Sequence, residues 1–119
     1  MVTPPTNEDR WTYKAHLVRV IDGDTVVLDI SLGCDQVSKR RYCRLLGMDA
    51  KEVVGKDKAE GLKAKQHLSR LLAQAIPLLI RTKMDAHGSF RRLLVWLWDG
   101  DVCINQQMIT DGFATPREK

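Results

Sequence analysis

The stretch from Trp11 to Ile30 constrains the fold more than any other part of the chain. Tyr13, Leu17, Val18, Val20 and Ile21 form a run rich in β-forming residues. Asp22-Gly23-Asp24 interrupts it, and Asp-Gly between apolar runs is the strongest short-range hairpin signal a sequence carries. Val26, Leu28 and Ile30 then alternate, which places them on one face of a second strand over 25–30. A chain that begins with two such strands must bury their shared apolar face against the elements that follow.

Those elements can be read in turn. Ser31 to Lys39 is polar, with Gly33 and Asp35 as breakers, and is expected to be a turn or loop. Arg40 to Met48 is a third strand. Ala59, Leu62, Ala64, Leu68, Leu71, Leu72 and Ala75 recur at helical spacing, with Lys58, Lys63, Lys65 and Arg70 on the solvated side, and Pro77 ends the helix. Leu78 to Ile80 makes a fourth strand and Leu93 to Trp98 a fifth, with a polar loop over 85–89 between them. Asn105 is expected to cap a short helix over 106–111 that Gly112 closes. Three meandering strands, a helix, two strands and a short helix match the mainly β, five-stranded OB barrel. Residues 1–10 and 115–119 read as loose tails, and 11–119 as a single domain.

Composition narrows the class. The chain has 119 residues, enough for one domain, and its 44% hydrophobic content suffices for one core. No apolar run approaches the roughly 20 residues of a membrane span. The Pro-rich, polar start, Met1 to Arg10, lacks the apolar stretch of a signal peptide, so a cytoplasmic protein with no membrane association is expected. Cys34, Cys43 and Cys103 are an odd number at wide spacing, which suits reduced thiols rather than a disulfide framework. Together with His16, His67 and His87 they show no zinc-ligand spacing. Nineteen Lys and Arg against fifteen Asp and Glu give a formal charge of +4, which is compatible with a polyanionic partner but does not require one.

Four stretches carry the chemistry. Val18-Arg-Val-Ile-Asp-Gly-Asp-Thr25 runs a strand into an acidic turn. Arg44-Leu-Leu-Gly-Met-Asp49-Ala-Lys-Glu52 ends a strand in two carboxylates three residues apart. Asp85-Ala-His-Gly-Ser-Phe-Arg91-Arg92 delivers arginines to the start of another strand. The fourth stretch runs from Asp99-Gly through Ile104-Asn105 to Gly112-Phe-Ala114. Two carboxylates at the ends of neighbouring strands suit a hard cation such as Ca²⁺, which needs few protein ligands beside carbonyls and water. A further carboxylate can hold or deprotonate a water molecule, and arginines can engage phosphate oxygens bidentately. Arg44 lies within an apolar strand, so a carboxylate or a phosphate must satisfy its charge.

Taken in this order, the four stretches resemble the staphylococcal nuclease family from about Trp11 to Ala114. The resemblance implies an OB-type barrel and Ca²⁺-dependent hydrolysis of DNA or RNA, single-stranded substrates favoured, leaving 3′-phosphate ends. It implies Asp24 and Asp49 as carboxylate ligands of the metal and Ala50 as a carbonyl ligand. Glu52 would be the general base, and Arg44 and Arg91 the phosphate-binding arginines. Asp22 would stand behind the metal ligands, His87 would stack on a base, and Arg92 is the rival of Arg91. Two departures stand out within the matched stretch. Lys51 occupies a position where the family has proline, and Ser89-Phe90 separate Gly88 from the arginines. The family's C-terminal helix and substrate-stacking tyrosines also have no match here. Two further readings follow from these departures: an OB module that binds nucleic acid without cutting it, and a protein-interaction scaffold. An edge left without the family's last helix would favour a homodimer.

Overall fold

A computed structural model describes residues 11–83 and 92–117. Strands β1 (Thr12–Asp22) and β2 (Thr25–Gly33) form the expected hairpin around Gly23-Asp24. Register shifts between Leu17 and Arg19 and between Val20 and Asp22 bend β1, which pairs with β5 (Leu78–Lys83) over Thr12 to Ala15 and with β2 from Lys14 to Asp22. The stretch read as a loop over 31–39 is instead a second hairpin. β3 begins at Gln36 and runs to Leu45, and the turn is made by Cys34 and Asp35 at φ of 53° and 61°. Both turn residues hold the left-handed conformation that a tight two-residue hairpin requires. Ser31 to Val37 are all solvent-exposed, so the alternation that marks a half-buried strand is missing there.

The strands close on themselves. The sheet runs β3-β2-β1-β5-β6, with β6 covering Arg92–Asp99, and β3 pairs in parallel with β6 from Tyr42–Arg92 to Leu45–Val95. The result is a closed, mixed, five-stranded barrel of the OB type. Its interior is filled by Val26, Leu28, Ile30, Cys43, Leu45, Ile80, Val95 and Leu97, all essentially fully buried. Helix α1 (Lys58–Gln74) stops ahead of the Ile76-Pro77 pair and seats Ala64, Leu68 and Leu72 on this core. Ala59 and Leu62, expected on its apolar face, are exposed, and Gly61 is buried in their place.

The remaining short elements surround one end of the barrel. β7 (Val102–Cys103) pairs with the end of β6, and α2 covers Ile104–Thr110. Asn105 is therefore not the cap of this helix. It lies inside the first turn with 1% of its surface exposed, and Cys103 takes the cap position. Its amide accepts a hydrogen bond from the Leu97 N–H (2.9 Å) and donates to the carbonyls of Leu46 (2.8 Å) and Val95 (3.0 Å). Local sequence favours Asn as a cap, but three buried backbone groups needed a partner. Gly112, at φ 84°, ends the helix as expected. Thr115–Pro116, read as a loose tail, form β8 and pair with β4 (Met48–Asp49). Among the described residues no helix is long and apolar enough to cross a membrane.

Candidate active site

The turn between β1 and β2 meets the segment after β3 because two close approaches are possible only without side chains. A Cβ on Gly23 would lie 2.7 Å from the Ala64 Cβ and 2.8 Å from the Ala50 Cβ. A Cβ on Gly61 would lie 1.9 Å from the Glu52 carbonyl oxygen. The Asp22–Thr25 turn therefore rests on α1, and α1 rests on the backbone that carries Glu52.

Hydrogen bonds then sew the two segments together. Asp24 Oδ2 accepts from the Ala50 N–H at 3.1 Å, and Asp24 Oδ1 accepts from the Thr25 hydroxyl at 3.0 Å. Asp22 Oδ1 accepts from the Val53 N–H at 3.2 Å. The carboxylates at positions 22 and 24 thus fix the chain on both sides of Glu52, whose own side chain is exposed. Lys51 points to Asp57 at 3.9 Å, an exposed pair worth about 0–1 kcal/mol.

Arg44 occupies the centre. Its Nη1 donates to the carbonyl oxygens of Leu45 (2.7 Å) and Met48 (3.0 Å). Its Nη2 pairs with Asp24 Oδ2 at 3.4 Å and with Asp49 Oδ1. Only 11% of the side chain is exposed, so the guanidinium is satisfied almost wholly by protein groups. Of the two partners the sequence allowed for Arg44, a carboxylate or a phosphate, the carboxylate is present twice over. Asp49 Oδ1 also accepts from Arg117 Nη1 at 3.1 Å, so two guanidiniums share one carboxylate oxygen.

These positions bear directly on a metal ion. Asp24 and Asp49 converge on one cationic nitrogen, so the site already stabilises positive charge between them. The donors are hard oxygens, and two carboxylates with carbonyl and water oxygens suit Ca²⁺. Among the described residues no group of three or more His, Cys, Asp or Glu is placed to hold a metal. Arg91 and His87 lie outside the described residues. Arg92 opens β6, where its backbone is in register with Tyr42.

Beside the carboxylates lies a groove of about 410 Å³ between α1 and the 112–115 segment. Its lining includes two carboxylates, Asp49 and Glu60, two ammonium groups, Lys51 and Lys63, and the Phe113 ring. A shallower depression of about 650 Å³ on the solvent side of α1 has no carboxylate in its lining. Arg117 was not legible in the sequence as a site residue, since Thr-Pro-Arg near the chain end carries no periodicity or motif. Only the β4–β8 pairing brings it to Asp49.

No family model matches the chain. It is 29% identical to the thermonuclease of Staphylococcus hyicus over 119 aligned residues, covering 92% of this chain and 61% of that protein. The chain thus spans about three fifths of the relative's length.

Proposed function

We propose that this chain is a thermonuclease-like phosphodiester hydrolase acting on DNA or RNA, with single-stranded substrates preferred. The observation that carries this reading is the convergence of Asp24 and Asp49 on one cationic position, beside a backbone segment that presents Glu52. Similarity to a thermonuclease along nearly the whole chain supports it independently.

In this reading Asp24, Asp49 and the Ala50 carbonyl would hold Ca²⁺. When bound, the ion supplies electrostatic stabilisation for charge building on the phosphate oxygens. Glu52 takes the proton from the attacking water, whose oxygen bonds to phosphorus as the P–O5′ bond breaks; the 5′-oxygen leaves as a hydroxyl with a proton from solvent, and a 3′-phosphate end remains. Asp22 holds the Val53 N–H and so fixes the backbone that aims Glu52. Arg44, which also contacts both carboxylates, and Arg91 or its rival Arg92 would bind the phosphate.

The test is hydrolysis of a fluorescent single-stranded DNA with Ca²⁺ and with EGTA. Cutting should require Ca²⁺, and Glu52→Gln should slow it by about 10²- to 10⁴-fold. Absence of cutting by the unsubstituted protein with every divalent cation tried would sink the hydrolase reading. A second reading, a binding module without catalysis, is favoured by Lys51, which stands beside Glu52 where the family has proline. Salt-sensitive oligonucleotide binding without cleavage would identify it.

A further inference from the structure

The face of the sheet that carries the site continues past it along β2 and β3. Thr25 is in register with Arg44, and one row further on Val27 is in register with Tyr42. Val26 and Cys43, between those rows, fill the barrel interior, so strand alternation puts Thr25, Val27, Tyr42 and Arg44 together on the outer face. Tyr42 and Arg44 therefore stand about 7 Å apart along one strand. They flank the side of the sheet on which Thr25 bonds to Asp24. From β1, Arg19 joins the second row, in register with Val27.

The Tyr42 hydroxyl accepts a hydrogen bond from Arg19 Nη2 at 3.2 Å, which steadies one end of the ring while 44% of the residue stays open to solvent. Arg19 is itself exposed and has no second partner among the described residues. Val27, between the two, is 3% exposed although it lies outside the interior cluster, so the row has an apolar floor. Lys39 and Arg40, just ahead of Tyr42, are exposed as well. The carboxylate next along β2, Asp29, is in register with His16 and accepts the Arg40 N–H at 2.8 Å. An open ring beside a guanidinium with donors to spare, among further cations, is the combination that holds a single strand by base stacking and phosphate contact.

We infer that Tyr42 is a stacking subsite for an unpaired base next to the phosphate at Arg44, and that Arg19 contacts the backbone phosphate of the same strand. The inference rests on the phosphodiester reading above and extends it from the reacting bond to the neighbouring nucleotide. Every base has a π-face, so this subsite selects unpaired bases over duplex without selecting sequence. Arg19 holds the ring by its hydroxyl, and its remaining donors face an anion at no cost to a buried contact.

The experiment measures binding by fluorescence anisotropy, in Ca²⁺, across a salt series. One probe is a 5′-labelled oligothymidylate, and the other is an abasic oligomer of the same length. All proteins carry Glu52→Gln so that the probes stay intact, and thermal unfolding is followed in parallel. Tyr42→Leu should bind the thymidylate roughly tenfold more weakly, with an unchanged salt slope, and should bind the abasic probe as its parent does. Tyr42→Phe should keep most of the affinity, because the ring remains. Arg19→Gln should reduce the slope of log K against log salt by about 0.7, one phosphate contact on a single strand. Parent-like thymidylate binding by Tyr42→Leu overturns the inference. An equal loss on both probes also overturns it, since it marks a structural role for the ring. If Tyr42→Leu does not fold, an Arg19→Gln protein with the parent's slope overturns it equally. Failure of the parent to bind either probe at low salt would reject the phosphodiester reading itself, and the subsite with it.

Discussion

At Cys43 the barrel holds a thiol with none of its surface exposed, and burial pushes its pKa up to about 12, only partly opposed by the nearby Arg41 charge. Cys34, by contrast, sits exposed at the tip of the β2–β3 hairpin. The chemical consequence is selective reactivity, since the thiolate is the nucleophile. Iodoacetamide at pH 8 should label Cys34 readily in the folded protein and reach Cys43 only in denaturant, with peptide mass spectrometry reading the sites. The sign of the pH effect follows from the raised pKa. An unfolded thiol titrates near about 8.5, so above that pH the unfolded state releases a proton that the folded state keeps. This contribution is present in full below that pH and fades as pH rises toward 12. Denaturant midpoints should therefore fall in alkali, and Cys43→Ala should flatten that fall.

At the scale of elements, the site depends on α1 lying against the chain at Glu52. Gly61 permits the contact, because an added methyl would overlap the Glu52 carbonyl. That neighbour is backbone, which cannot swing aside as a flexible side chain would. Gly61→Ala should cost about 1–3 kcal/mol in urea unfolding and move Glu52 by enough to slow cutting about a hundredfold, with oligonucleotide binding less affected. A loss of stability with normal turnover would show that Glu52 is not aimed by this contact. Asn105 teaches a related lesson. Its position ahead of a short helix closed by Gly112 reads as a cap, yet its amide bridges α2 to β6 and to Leu46, and so steadies the segment leading to Asp49.

For the molecule as a whole, closure depends on β3 meeting β6 in parallel and on α1 plugging the core. Leu68 is the fully buried contact at the middle of that plug. Leu68→Ala should destabilise the protein by about 2–5 kcal/mol, the cost of lost burial and a residual cavity, and lower the unfolding temperature by roughly 8–20 °C. A calorimetric shift near zero would mean that α1 does not help to hold the barrel together.

Much of this architecture could be read from the chain. The β1–β2 hairpin, the helix ended before Pro77, the two later strands and the acidic and basic residues at strand ends all follow from spacing and turn chemistry. Such features are set by neighbours a few residues apart. The need for a carboxylate or a phosphate beside Arg44 was legible too, because a charge within an apolar strand must be paired, and carboxylates meet it. Other features were decided only by tertiary structure. The tip of the β2–β3 hairpin, Ser31 to Val37, has no buried face to impose alternation, so it looks like loop. Asn105 serves carbonyls from residues 46 and 95, and Arg117 reaches a carboxylate at residue 49. Local periodicity carries no information about partners that meet across a closed barrel, because their meeting depends on where the strands close.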